Sequence, residues 1–321
     1  MKAVVLERTC KAKELEVKEV EMPKIKDDWV LVKVLGFGIN RAEVILRDYE
    51  ADEDYISLPV IPGIECVGEV VDPSNTHFKK GDKIAALMGG MGRSFDGSYA
   101  EYCLLPEKNV FKIDDEVFDK LSLEEVIAVP ETYFTAYGSI EGLNLKKKDT
   151  VLIRGATSAL GLTAMQLADA IGCRIIATSR DKTRFGKLEA NGADECIVDD
   201  RNLSTKIKCD KILELIGPKT LEDSMKCLNE EGICCVTGVL GGVEYMADFD
   251  PIKVVPNKRY LTSFFSNYPT QKIIDNLFKF IVDNNIKPNI SKVFTDLKDI
   301  GNAHELMESN RAQGKIIFKL E

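Results

Sequence analysis

The chain runs to 321 residues, 45% apolar and 30% charged, with a formal net charge of −9. Its length accommodates two domains, and its acidic balance argues against nucleic acid or an anionic membrane surface as the main partner. No apolar run approaches the ~20 residues of a membrane span, and nine scattered cysteines without a CxxC pair point to a reducing, cytoplasmic setting.

The opening segment, MKAVVLERTC, turns polar too soon for a secretory leader. With LEVKEVEMP it is expected to form a hairpin. VLVKVLGFGI and ECVGEVVDP follow as buried strands, and GDKIAAL, SYAEYCLLP and NVFKI complete a β-rich set punctuated by Gly and Pro. The Met-Gly run at 87–92 is expected to be a flexible loop, bordering a substrate or simply lying on the surface. From Ser122 to Leu143 the apolar period becomes helical.

At Thr150 the pattern changes to alternating strands and helices. Val151, Leu152 and Ile153 form a β run ending at Gly155, a turn of small residues follows, and an apolar helix leads to a second β run at Cys173–Thr178. That is a βαβ crossover. Its turn, Ala156-Thr157-Ser158-Ala159-Leu160-Gly161, keeps the spacing of the dinucleotide fingerprint, with Ala156 and Ser158 at the first two glycine positions. Small side chains there let backbone N–H groups and a helix N-terminus approach a pyrophosphate. An NAD site usually ends its second strand in Asp or Glu, for the ribose 2′-hydroxyl. Here Ser179 and Arg180 stand at that point, followed by Lys182 and Arg184, and the basic groups suit the 2′-phosphate of NADPH. Asp181 is the contrary residue, and its place before a helical run also suits an N-cap.

Further α/β units follow: a helix at 182–191, strands at 196–198 and 211–215, a helix at 220–228, a strand at 233–237 and another near 260–265. The tail, with helices at 271–284 and 300–308, a strand at 292–294 and a final GKIIFKL, breaks the alternation and is expected to rejoin the first domain.

This order, with GFGINRAEV, LPVIPGIECVGEVV, FKKGDKIAAL, GSYAEY, VPETYFTAYGSI, RGATSALGLTAMQLA, GADECI and QGKIIF in sequence, resembles the medium-chain dehydrogenase/reductase superfamily along essentially the whole chain. The resemblance is closest to its zinc-independent NADPH:quinone oxidoreductase branch. It implies an α/β architecture: a doubly wound parallel Rossmann sheet at 123–267, inserted into a β-rich GroES-like domain at 1–122 and 268–321. It also implies a homodimer through the edge of the dinucleotide domain, where the only sequence support is the apolar run Ile233–Val239.

Zinc-dependent members carry ligands at positions occupied here by Asn40 and Ile64. Glu65 remains, but one carboxylate does not make a zinc site, and the four cysteines of a structural zinc lobe are missing after Ala86. Alcohol oxidation needs a Lewis acid or strong base, whereas a quinone, enone or enal takes hydride and delocalises charge onto an oxygen that hydrogen bonds can stabilise. The expected activity is therefore metal-free hydride transfer from NADPH to such an acceptor. An enoyl-thioester reductase and a non-catalytic NADPH-binding sensory or structural protein are the alternatives.

The candidate catalytic residues are Asn40, toward nicotinamide ribose or substrate carbonyl unless it merely caps the next helix, and Thr135, near the nicotinamide by resemblance unless it bonds its own helix. Candidate cofactor contacts are Ala156, Ser158, Ala159, Leu160 and Gly161 at the turn, with Ser179, Arg180 and Lys182 at the 2′-phosphate. Gly217, Gly238 and Leu240 follow later strands, Phe264 (with Phe265) could wall the pocket, and Gly314-Lys315 resembles a late cofactor motif. The tyrosine that several quinone reductases place soon after the Asn40 position is replaced by Ile45 and Leu46. Tyr49 and Tyr55 come later, in a non-matching acidic loop, so no proton donor is named and water is left to supply the proton.

Overall fold

The computed structural model describes residues 1–243 and 245–320. The chain begins with β1 (Lys2–Val4), β2 (Val17–Glu19), the long β3 (Trp29–Ile39), α1 (Arg41–Asp48), β4 (Glu65–Asp72), β5 (Lys83–Leu87), β6 (Tyr102–Pro106) and β7 (Val110–Lys112). Helices α2 (Asp115–Lys120), α3 (Leu123–Ile127) and α4 (Pro130–Leu143) follow. Then the alternation sets in: β8 (Thr150–Arg154), α5 (Ala159–Ile171), β9 (Arg174–Ser179), α6 (Phe185–Glu189), β10 (Glu195–Val198), β11 (Cys209–Glu214), α7 (Leu221–Cys227), β12 (Leu228–Val236), α8 (Pro251–Val254) and β13 (Tyr260–Ser263). The tail supplies α9 (Gln271–Asp283), β14 (Ile290–Phe294), α10 (Ile300–Glu308) and β15 (Lys315–Lys319). Two compact units result, residues 1–134 with 267–321, and residues 135–266.

In the first unit β3 is the organising strand. Nearly every residue along it is buried or half-buried, because it is paired on both sides. β4 runs along one edge, and β6 and then β15 share the other, giving the order β14-β15-β3-β4-β5-β7 with β6 on β3. Phe37 stacks between Tyr99 and Phe318, with ring centroids 4.8 and 5.0 Å away. So the last strand of the chain completes the first core, as expected for a returning tail. α3 packs against β3, β4 and β15, which ties the segment after 122 to this unit. β1 and β2 pair antiparallel, but across a long connection containing a 3₁₀ turn at Ala12–Glu14 rather than as a tight hairpin.

The second unit is a six-stranded, all-parallel sheet in the order β10-β9-β8-β11-β12-β13. In chain order this is 3-2-1-4-5-6, the doubly wound dinucleotide arrangement. Leu152, Ile176, Ile212, Met225 and Cys234 fill one side of it. The nine cysteines are free thiols, and burial pushes the Cys227 thiol up to about 12, consistent with packing rather than reactivity. The apolar run at 233–239 belongs largely to β12, which β11 and β13 flank. It is an interior strand, and the free edges are β10 and β13. Its buried, parallel position on both faces explains the apolar run.

Candidate active site

At the carboxyl end of β8 the chain turns through Gly155, which has φ +91° and donates its N–H to Thr178 Oγ1 at 3.1 Å. Ser158 caps α5: its hydroxyl accepts from Gly161 N at 3.0 Å and donates to Gly155 O at 2.9 Å. A side chain at Gly161 would lie 2.7 Å from Ala156 Cα and Gly155 O. Small residues are thus required here because helix and turn touch backbone to backbone. Ala159 and Leu160 form the first turn of α5, where free N–H groups and the helix dipole suit a pyrophosphate. The loops after β11 and β12 close on the same end of the sheet. Gly217 (φ +88°) donates its N–H to Glu214 Oε1, and a Cβ on it would meet Gly238 O at 2.8 Å. One on Gly238 would meet Leu215 O at 2.6 Å. Leu240 donates to Leu215 O at 2.9 Å, and its Cδ1 lies beside Gly155. The sheet therefore brings the turn at 155–161, Gly217, Gly238 and Leu240 to one edge. Phe264 fits against Gly138 of α4, where a Cβ would be 2.1 Å from the ring, whereas Phe265 is 72% exposed. Thr135 is buried on α4, and its carbonyl accepts from Ser139 Oγ at 2.7 Å.

Ser179 ends β9, and its hydroxyl accepts from Asp181 N and donates to Asp181 O. The Asp181 carboxylate accepts from Thr183 N at 2.9 Å as the cap of the next turn, and these bonds hold it below the usual carboxylate range. Arg180 and Lys182 are exposed, and neither makes an ion pair among the described residues. Beneath this region lies a group that sequence reasoning missed. Arg154, fully buried at the end of β8, donates twice to Asp199 at 2.7 Å and also to Asp223 at 2.8 Å and Ser224 at 3.0 Å. It ties the ends of β8 and β10 to α7. The available signal was an arginine closing an apolar strand, which is costly unless paired.

The first unit holds a second buried polar cluster. Asn40, directly after β3, donates its backbone N–H to Glu43 Oε2 at 2.8 Å, and Glu43 Oε1 accepts from Ile64 N at 3.0 Å. The Asn40 amide donates to Glu65 Oε1 at 2.9 Å and toward Glu43 Oε1 at 3.5 Å. Glu65 Oε2 accepts from Glu131 N at the start of α4, at 2.8 Å. Lys315 completes the cluster, its ammonium lying 2.6 Å from Glu65 Oε1, 2.5 Å from Asn40 Oδ1 and 2.8 Å from Thr132 Oγ1. Burial pushes the Glu43 carboxyl up to about 7. Lys315 is thus hydrogen-bonded to Asn40 and Thr132 and paired with Glu65 inside the first unit, and Gly314 (φ +134°) supplies the tight approach to Asn289 that starts β15. Asn40 is both a helix cap and a member of this cluster.

The segment at 87–92 is pinned, contrary to the expectation of a flexible loop. Met91 is buried, Asn109 Nδ2 donates to Met88 O at 2.6 Å, and Gly92 lies so close to Gly63 that a Cβ would be 2.8 Å from its nitrogen. Arg93 beyond it grips Glu50 with Nε at 3.0 Å and Nη2 at 2.6 Å, and Tyr55 donates to the same carboxylate.

The sequence matches the alcohol dehydrogenase GroES-like domain family over residues 26–115 and the zinc-binding dehydrogenase family over 191–318. A human quinone oxidoreductase is 31% identical over 238 residues, 70% of this chain and 69% of that one. The chain belongs to the medium-chain dehydrogenase/reductase superfamily. Within the superfamily it is quinone oxidoreductase-like, and it is an oxidoreductase. An alcohol dehydrogenase of Geobacillus stearothermophilus is 27% identical over 355 aligned positions, 100% of both chains. The fold is also that of a quinone oxidoreductase from Coxiella burnetii, with TM-score 0.85 and 24% identity over 100% of this chain and 99% of that one.

One matched family name includes zinc, and Asn40, Ile64 and Glu65 stand at the positions in question. Asn40, Ile64 and Glu65 provide one carboxylate, one amide and one hydrocarbon, while zinc takes thiolate, imidazole or carboxylate. An ammonium already lies against two of them. These residues do not fit zinc.

Proposed function

We propose that this oxidoreductase is an NADPH-dependent, metal-free reductase of quinones or α,β-unsaturated carbonyls. The observation that carries the reading is the donor set around Asn40 and Glu65, in which the resident cation is an ammonium paired with Glu65 and hydrogen-bonded to Asn40 and Thr132. Such a group offers no open Lewis-acid position, so the reading turns to acceptors that are already electron-poor.

A dinucleotide fits the second unit on the grounds of the close backbone approach at Gly161, the Ser158-capped start of α5, and Gly217, Gly238 and Leu240 beside it. Arg180 and Lys182, with the Ser179 hydroxyl, suit a 2′-phosphate, and the carboxylate of Asp181 is occupied as a cap. Hydride is the chemistry that bound NADPH supplies. Asn40 Oδ1 keeps one lone pair after accepting from Lys315, so the amide can take a hydrogen bond from a ribose hydroxyl more readily than it can give one to a substrate carbonyl. Thr135, about one turn along α4 from Glu131, is the candidate contact to the nicotinamide, and water supplies the proton. A cytoplasmic homodimer through a free sheet edge belongs to the same reading, with Tyr260 of β13 half exposed there.

The test is loss of reduced-nicotinamide absorbance against a benzoquinone, a naphthoquinone, an enone, an enal and a simple ketone, with NADPH and NADH in parallel. Turnover of the conjugated acceptors but not the ketone, faster with NADPH, is expected. Turnover of the ketone alone would overturn the substrate class. Tight NADPH binding without any turnover would move the protein to a binding role.

A further inference from the structure

Lys315 is the first residue of β15 and is 3% exposed, yet its side chain reaches the fully buried Glu65 at the start of β4. The strand between them, β3, makes room by carrying glycine. A Cβ on Gly38 would stand 2.2 Å from Lys315 Cε, 2.3 Å from Glu65 Oε1 and 2.8 Å from Lys315 Nζ. The ammonium has three hydrogens, and three oxygens surround it: Glu65 Oε1 at 2.6 Å, Asn40 Oδ1 at 2.5 Å and Thr132 Oγ1 at 2.8 Å. The contacts to Asn40 and Thr132 are hydrogen bonds and that to Glu65 is an ion pair, all longer than the roughly 2.0–2.2 Å at which zinc binds oxygen. Glu43 lies behind Asn40 as a second buried carboxyl. The cluster is thus an oxygen cradle carrying negative charge out of contact with water, and it requires a cation.

We propose that the Lys315 ammonium is this chain's built-in cation, filling the cradle of Glu65, Asn40 and Thr132 so that a divalent metal ion is shut out. The inference stands whether or not the protein reduces conjugated carbonyls, because it concerns what the cradle holds. A tethered ammonium occupies it at all metal concentrations. Without that group, the remaining oxygens, one carboxylate and two neutral groups with Glu43 close by, match the preferences of a hard cation such as Mn²⁺.

The experiment titrates Mn²⁺ into the full-length wild type, Lys315→Ala and Lys315→Ala/Glu65→Gln, read by calorimetry and by the electron-spin signal of free Mn²⁺. Wild type is expected to take up none, and Lys315→Ala to bind one equivalent. The double variant should bind at least about tenfold more weakly. Stoichiometric uptake by wild type that disappears in Glu65→Gln, or a folded Lys315→Ala that binds no Mn²⁺, would overturn the proposal. Should Lys315→Ala fail to fold, lysine-selective ¹⁵N NMR of wild type decides. A slowly exchanging ammonium signal that Lys315→Arg removes is expected, and its absence from wild type would refute the built-in cation.

Discussion

At the start of α1, Glu43 accepts the backbone N–H groups of both Asn40 and Ile64 while buried away from water. Burial is the largest influence on its carboxyl, raising it from 4.5 to about 7, and the Glu65 charge adds to it; the N–H bond from Ile64 and the charges of Lys315 and Arg93 oppose it. A group whose pKa is higher folded than unfolded holds its proton more tightly in the native state. Its contribution to stability is then complete below the unfolded value and is lost as pH rises through the folded one. Wild type should lose on the order of 3 kcal/mol from this group between about pH 4.5 and 7. Glu43→Gln removes that slope, so its stability relative to wild type should rise with pH, as chemical denaturation at a series of pH values would show. A difference independent of pH would mean that Glu43 stays ionised throughout. None of this is visible at the residue itself, because Asn-x-x-Glu before a helix is an ordinary capping signal, and only the fold places a second carboxylate and two cations around it.

The element we propose for cofactor binding is the β8–turn–α5 unit, and it was the most legible part of the chain. Its strand, turn and helix are contiguous, so apolar period and small residues suffice to locate them. What the pattern leaves open is why Gly161 is glycine. The answer is contact with Ala156 Cα and Gly155 O across the turn, which leaves no room for a methyl group. Gly161→Ala should therefore cost about 1–3 kcal/mol through forced backbone movement and weaken NADPH binding about tenfold or more, measured by thermal melting and by nicotinamide fluorescence. Gly186→Ala is the matched control. That glycine lies in α6, where an added methyl group would meet nothing within 4 Å, and the exchange should be neutral or stabilising by about 0.4–1 kcal/mol. Two other elements were less legible. The run at 233–239 looked like an edge and is interior, since an apolar strand carries no mark of how many neighbours it has. The Met-Gly run at 87–92 looked mobile because glycine permits many conformations, and distant contacts with Asn109 and Gly63 remove that freedom.

Across the whole molecule, cofactor choice becomes a stability difference. A ligand that binds only the folded state adds about 2.7 kcal/mol at a hundredfold excess over its dissociation constant, so NADPH should raise the melting temperature more than equal NADH. Arg180→Glu should shrink or reverse that gap, because a charge-assisted phosphate contact is worth roughly 1.5–3 kcal/mol. An unchanged gap would place the 2′-phosphate elsewhere. The sequence by itself determined the two-part β-then-α/β organisation, the returning tail, the small-residue turn after β8 and the family, because each is written in local period, turn chemistry or ordered motifs. Only the tertiary structure decided what fills the buried cluster, since Asn40 and Lys315 are 275 residues apart in the chain and meet through the pairing of β15 with β3. The same holds for Arg154, whose partners Asp199 and Asp223 lie 45 and 69 residues on. Local sequence sets which elements form. Electrostatic neighbours are set by which strands pair, and that is a property of the folded sheet.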